Sequence, residues 1–291
     1  MARSIAPDVV LITGSSTGMG LETSMYLAAR GYRVYASVPF ESDIPVVDTA
    51  ARERGVTVRT IVLDVTDEAS IDGAVTTILE ESGSIYGLVN NAGLGLRGCF
   101  EDITDAEMRD IYNVNLFGAM AVTRRVLPSM LDTRRGRIVH ITSVGGRIAS
   151  FGLSGYCSTK FALEGFGEAL ALEVAPFGVR SIMVEPGIIS TPHWTVNRGT
   201  AKHALDATSR FATMFARHEA IADWRTAKSR ITVTHVAEAI YEALHASNPR
   251  MRYVVGLPAS VMVLGRRYLP ERWFEAIYFG LLLRRVTRGV S

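Results

Sequence analysis

Residues 13 to 20 read Thr-Gly-Ser-Ser-Thr-Gly-Met-Gly, setting Gly14, Gly18 and Gly20 between a β-branched run and an amphipathic stretch. A chain that turns from strand to helix so tightly needs positions without a Cβ, both for positive φ and for close approach to a ligand. The helix that follows offers unpaired N–H groups and a partial positive charge, which suits phosphate. A glycine turn in this setting predicts a dinucleotide-binding βα unit at the start of the fold.

The same rhythm continues along the chain. Short β-branched runs at Val9–Thr13, Arg33–Ser37, Val58–Leu63, Gly87–Asn90, Arg137–Thr142, Val179–Glu185 and Arg252–Val255 read as strands. Between them, Leu21–Arg30, Asp43–Arg54, Ala69–Glu81, Asp105–Leu131, Tyr156–Ala175 and Val236–Ala246 read as helices, with Gly31 and Gly178 where C-terminal caps belong. This predicts the α/β class: a doubly wound, Rossmann-type parallel seven-stranded sheet with helices on both faces, in one domain over 1–291. The segment 193–235, holding Trp194, Phe211, Met214, Phe215 and Trp224, is read as a substrate-capping insertion. A plain helical insertion with an apolar underside is the alternative. A helical tail over 258–291 repeats Trp273, Phe274, Ile277, Tyr278, Leu281 and Leu282 at helical spacing, with Arg284 and Arg285 behind. It suits a helix packed on the domain or on a partner subunit; the alternative is an interfacial helix making peripheral membrane contact. The run Trp273–Leu283 falls short of the ~20 apolar residues that span a bilayer.

Hydrophobic residues make up 48% of the 291 and charged ones 21%, which supports a large core. The charge of +2 is spread along the sequence, so no nucleic-acid partner is expected. Cys99 and Cys157 provide neither a disulfide framework nor a metal spacing, and the six histidines are dispersed, so no metal site is expected. Residues 1–8 carry no signal-length apolar run. The expected location is cytoplasmic, with membrane association through the tail as the alternative.

One candidate for chemistry stands out. Tyr156 and Lys160 lie one helical turn apart in Tyr156-Cys157-Ser158-Thr159-Lys160 and share a helix face. A free phenol has a pKa of about 10, and a nearby ammonium lowers it toward values useful for proton transfer. Ser143, just past the fifth strand, sits at the carboxyl edge of the sheet where ligands bind. Its hydroxyl could bond a substrate oxygen.

With these residues in this order, the chain resembles the short-chain dehydrogenase/reductase family, strongly over about residues 8–192. The Gly-x3-Gly-x-Gly turn, Leu63-Asp64-Val65, Asn90-Asn91-Ala92-Gly93, Asn113-Val114-Asn115-Leu116-Phe117-Gly118 and Pro186-Gly187-Ile188-Ile189-Ser190-Thr191 all match its segments. The resemblance implies a catalytic set of Asn115, Ser143, Tyr156 and Lys160, with Asn115 holding a water that links Lys160 to solvent. It implies that Gly14, Ser16, Thr17, Gly18, Met19, Gly20, Ser37, Asp64, Val65, Asn91, Ala92, Gly93, Pro186, Gly187, Ile189 and Thr191 bind NAD or NADP together with Tyr156 and Lys160. Val38 and Pro39 stand where an acidic or basic selector usually sits, while Glu41 and Asp43 follow closely and would repel a 2′-phosphate. The reading leans to NAD and keeps NADP open.

Within the family, Ser143-Val144-Gly145-Gly146 and Tyr156 to Gly165 are similar to 17β-hydroxysteroid and retinol dehydrogenases, which implies a small lipophilic alcohol or ketone as substrate. Leu94, Leu96, Val144, Phe151 and Leu153 are the candidate lining of its cleft. The resemblance also implies a homo-oligomer, a dimer or tetramer. A non-catalytic dinucleotide sensor or an epimerase on the same scaffold would be the competing functions.

Overall fold

A computed structural model describes residues 7–190 and 199–288. Seven strands, β1 (Val9–Ile12), β2 (Arg33–Val38), β3 (Arg59–Val62), β4 (Gly87–Asn90), β5 (Gly136–Ile141), β6 (Val179–Pro186) and β7 (Arg252–Val255), form one sheet in the order β3-β2-β1-β4-β5-β6-β7. Every pairing is parallel. The order reverses between β1 and β4, so the connections leave on opposite faces there and open a crevice at the strands' carboxyl ends. The seven expected strands are all present, within one or two residues at their ends.

Helices cover both faces: α1 (Gly18–Ala28), α2 (Ile44–Glu53), α3 (Glu68–Ser82), α4 (Asp105–Tyr112), α5 (Ala119–Asp132), α6 (Ser154–Val174), α7 (Ala212–Lys228), α8 (Val233–His245), α9 (Leu257–Tyr268), α10 (Glu271–Phe274) and α11 (Gly280–Thr287). Alternate strand residues serve the two faces. Val10, Ile12, Val34 and Ala36 join Met25, Leu27, Val236 and Ile240 in one core. Val9, Leu11, Tyr35 and Leu88 join Ile71, Val122, Val126 and Leu170 in the other. Strands buried on both sides explain why the sequence shows β-branched runs in place of alternation.

Two expectations change. The single helix expected over 105–131 is interrupted: a π-helical turn, Asn113–Gly118, joins α4 to α5. A Cβ on Gly118 would come within 2.7 Å of the Val65 side chain, so the turn lies against the end of β3. In the 193–235 segment, residues 193–198, with Trp194, lie outside the described residues. In the rest, α7 turns an apolar underside inward. Phe215 is fully buried with Leu96, Ile111, Ala201 and Ala204, and Glu219 accepts a 2.8 Å bond from Arg97 Nε. Trp224 is exposed.

Beneath the crevice, polar side chains tie β4 to β5. Asn90 Nδ2 donates to Thr123 Oγ1 at 2.8 Å and lies 3.2 Å from His140 Nδ1, while Phe166 meets the imidazole edge-on. Burial, aided by the Lys160 charge, pushes the His140 pKa from 6.5 down to about 3. As pH falls below about 6.5 the unfolded chain takes up a proton that the folded chain refuses, so stability is lost toward pH 3. From pH 7 to pH 5 this one group should cost roughly 2 kcal/mol of unfolding free energy. Urea titrations of the wild type and His140→Leu at both pH values check this. The pH-dependent loss should shrink by that amount in the variant, and equal losses would exclude the linkage.

Candidate active site

At the crevice the glycines divide their work. Gly14 (φ +68°) and Gly18 (φ +56°) adopt the left-handed backbone that side chains disfavour. A Cβ on Gly14 would lie 2.8 Å from Ala92 Cα, and one on Gly20 only 2.2 Å from the Gly14 carbonyl. These two are packing glycines. A Cβ on Gly18 would meet nothing within 4 Å, so that position faces open space. The turn is clamped to the end of β4: Asn91 Nδ2 donates to the Thr13 and Gly14 carbonyls, both at 2.9 Å. In return Thr13 Oγ1 accepts from the Asn91 and Ala92 N–H groups, both at 3.0 Å. The first turn of α1 carries no acidic residue and no side-chain cap, and Ser16, Thr17 and Met19 are half-buried around it. This cradle fits a dinucleotide pyrophosphate.

The adenine and ribose side is less direct. Asp64 Oδ1 accepts from the Thr66 N–H at 2.9 Å and from its hydroxyl at 2.8 Å, which shapes the turn after β3, while Val65 is buried. Ser37 departs from expectation. Its side chain is fully buried with its hydroxyl unpaired among the described residues, and its carbonyl accepts from Ser15 N–H at 2.7 Å. Ser37 therefore holds the turn through its carbonyl, and its hydroxyl is enclosed. On the far side of the crevice, Pro186 ends β6, the Gly187 N–H donates to Val255 O at 3.1 Å, and Ile189 enters the core. Thr191 lies outside the described residues.

The chemical end lies beyond β5. Ser143 has extended backbone and its Oγ accepts the Gly145 N–H at 2.9 Å. A Cβ on Gly145 would stand 3.3 Å from Ser143 Oγ and 3.4 Å from Cε1 of Tyr156, on the first turn of α6, so the serine hydroxyl and the tyrosine ring border the same space. Lys160, one turn on, is buried; its Nζ donates to Ile141 O at 2.8 Å and sits 5.8 Å from the Tyr156 ring centre. Burial pushes the lysine down to about 8. The tyrosine is held above its ordinary value, because burial outweighs the lowering influence of the nearby Ser143 hydroxyl. Without cofactor the phenol therefore keeps its proton at neutral pH, in place of the lowered pKa expected from the pair alone.

Asn115 lies within the π turn, where the widened helix aims its carboxamide across the crevice. Oδ1 accepts from Leu94 N at 2.7 Å, and Nδ2 donates to Leu94 O at 3.0 Å and Thr159 Oγ1 at 3.2 Å. A Cβ on Gly93 would stand 3.3 Å from Asn115 Oδ1 and 3.7 Å from Lys160 Nζ, so both groups crowd the same point. Among the proposed lining residues, Leu94 is exposed and Leu153 is half-buried at the start of α6. Val144 packs beside Ile148, Val263 and Phe274, and the Phe151 ring lies 5.8 Å from His218. Leu96 is buried with Ile111 and Phe215, in a cluster against which Tyr156 also packs.

Sequence reasoning missed Thr13, Thr159 and Tyr278. The first could have been read from its place at the strand end before Gly14. Tyr278, stacked on Phe274 in the cluster that reaches Val144 and Ile148, carried no local signal.

Residues 8–202 match the short chain dehydrogenase family. The chain is 35% identical over 283 residues to human (Homo sapiens) retinol dehydrogenase 5, covering 92% of this chain and 86% of that one. It is 33% identical over 270 residues to a 3-ketodihydrosphingosine reductase of Bacteroides thetaiotaomicron, covering 92% and 96%. Among solved structures, a short-chain dehydrogenase from Streptomyces avermitilis superposes with a TM-score of 0.80 at 30% identity, covering 100% of both chains.

The amide bonds of Asn115 set a stability test. Asn115→Leu leaves the Leu94 N–H and C=O without their partner, which should cost roughly 2 kcal/mol and lower Tm by roughly 4–8 °C. Differential scanning calorimetry of the variant checks this; an unchanged Tm would show that these bonds do not hold the turn.

Proposed function

The chain belongs to the short-chain dehydrogenase family, and on that premise we propose that this oxidoreductase interconverts a lipophilic alcohol and its carbonyl, with Tyr156 as the proton-transfer group. The observation that carries the reading is the convergence of Ser143 Oγ and the Tyr156 ring beside Gly145, with buried Lys160 one helical turn on and a pyrophosphate cradle alongside. When bound, a nicotinamide dinucleotide supplies or accepts the hydride.

The chain's own residues handle the oxygen. Ser143 Oγ and the Tyr156 phenol form two neighbouring donors for one substrate oxygen, which positions it and stabilises charge developing there. In the reducing direction the protonated phenol, favoured by its burial, delivers its proton to that oxygen. In the oxidising direction it must accept the proton, and the Lys160 ammonium stabilises the phenolate that precedes the transfer. With a pKa near 8, Lys160 carries its charge at pH 7. The ammonium is anchored on Ile141 O and lies near Asn115 Oδ1 across Gly93, so its position is set before substrate arrives. Fixing these groups in advance avoids reorganisation during the reaction.

The lipophilic substrate class is supported by the apolar cluster packed against Tyr156, with Leu96, Ile111 and Phe215, and by the names of the two relatives. Cofactor choice rests on the end of β2. Val38 is buried and offers no base, and Glu41 and Asp43 follow in the next turn. That arrangement favours NAD over NADP.

Tyr156→Phe should retain cofactor binding by fluorescence titration and lose at least ~100-fold in kcat, read as absorbance change at 340 nm with retinoid, steroid and long-chain alcohol substrates. Near-normal turnover would refute the assignment. Cofactor binding by the wild type with no turnover on any carbonyl or alcohol would favour a dinucleotide sensor. In the same assay KM should be lower for NAD than for NADP, and a large preference for the phosphorylated form would reverse the lean.

A further inference from the structure

Helices α9 to α11 are apolar on two faces. Their inner face is accounted for: Val263 and Phe274 pack with Ile148, Tyr278 packs against the same cluster, and Leu282 and Val286 are buried. Arg217 of α7 also holds the carbonyls of Val286 and Arg288. The outer face has no such cover. Along α9, Leu257 (76% exposed), Val261 (60%), Leu264 (53%) and Tyr268 (72%) recur at helical spacing as one stripe. Beyond the Leu269-Pro270 corner, Trp273 (65%), Ile277 (53%) and Leu281 (50%) continue it, four residues apart. Nine of the 21 exposed large hydrophobics among the described residues fall in 257–283, which makes this a patch and not scatter.

Charge identifies what would cover it. Residues 257–288 hold six arginines (Arg266, Arg267, Arg272, Arg284, Arg285, Arg288) against Glu271 and Glu275, a formal +4 in a chain whose total is +2. Arg266 pairs with Glu271 at 3.3 Å, whereas Arg272, Arg284 and Arg285 make no ion pair among the described residues. A second copy docking on this face through a two-fold axis would set these like charges against one another. An anionic lipid surface would neutralise them while taking up the apolar stripe. Tyr268 and Trp273 are residue types that settle at headgroup level. No helix among the described residues is long and apolar enough to cross a membrane, so contact of this kind is parallel to the surface.

We propose that the outer face of α9 to α11 docks on the surface of an anionic bilayer, with the apolar stripe in the headgroup region and the arginines on lipid phosphates. The inner face of the same helices packs against Val144 and Ile148, in the loop that begins at Ser143, so docking brings the crevice close to the membrane. The docking stands apart from the substrate reading and is tested without it.

The experiment is flotation of the full chain with vesicles of phosphatidylcholine, with and without 30% phosphatidylglycerol, at low and high salt. Three proteins are compared: wild type, R284E/R285E, and Trp273→Ser with Ile277→Ser and Leu281→Ser. Tm and dinucleotide binding verify that each is folded, because none of the substituted side chains belongs to the crevice. The wild type should float with anionic vesicles and much less with neutral ones, and salt should weaken the association. Each variant should partition at least ~10-fold more weakly. Wild type remaining at the bottom of the anionic gradient overturns the proposal. So does equal flotation of all three proteins. Sedimentation velocity adds a further arm: if the triple substitution only converts an oligomer to a monomer and leaves flotation unaltered, the face joins copies of this chain and the proposal fails.

Discussion

A single carboxamide fastens the two halves of the crevice. Asn91, at the end of β4, holds the Thr13 and Gly14 carbonyls, and the Thr13 hydroxyl answers by taking two N–H groups from the β4 side. These bonds cross the switch point of the sheet, where no neighbouring connection covers the backbone. They satisfy groups that would otherwise be left unpaired in a partly buried turn. Two residues on, Gly93 lets Asn115 and Lys160 approach the same point, so the nucleotide turn and the proton-transfer groups share one hinge of backbone. The packing glycines follow from this closeness, since Gly14 has Ala92 against it and Gly20 has the Gly14 carbonyl.

Behind Tyr156 and Lys160 lies a second set of buried charges. Glu185 on β6 is fully buried, accepts from Arg147 at 2.9 Å and lies 3.4 Å from Arg252. Arg252 also reaches Glu164 on α6 at 3.0 Å. The network joins the loop after Ser143, the helix carrying Tyr156 and Lys160, and strands β6 and β7. Burial raises Glu185, opposed by the two arginines. Ion pairs of this kind add little net stability against an apolar replacement, yet removing one partner strands a charge. Their evident effect here is positional, since they fix α6 against the sheet.

The sequence showed most of the framework because the signals are local. A strand buried on both faces must be β-branched, and a helix one turn long from Tyr156 to Lys160 must present both on one side. The glycine turn, the seven strands and the Ser143–Tyr156–Lys160 set were therefore legible. The π turn at Asn113–Gly118 was not, because its sequence is compatible with an ordinary helix and its contact, Gly118 against Val65, joins residues far apart along the chain. Nor does the sequence beside the Asn-Asn-Ala-Gly segment show that Phe215, from far along the chain, packs on Leu96.

What the sequence determined by itself was chemistry carried by neighbours: which residues turn, which alternate, and which stand one helical turn apart. Tertiary structure decided what depends on surroundings. Burial kept the Tyr156 proton in place and lowered Lys160, enclosed the Ser37 hydroxyl, and set the C-terminal helices with one apolar face against the 144–150 loop and another toward solvent. The physical reason is that proton affinity and exposure are set by desolvation and distant contacts, and neither is written in the spacing of residues along a chain.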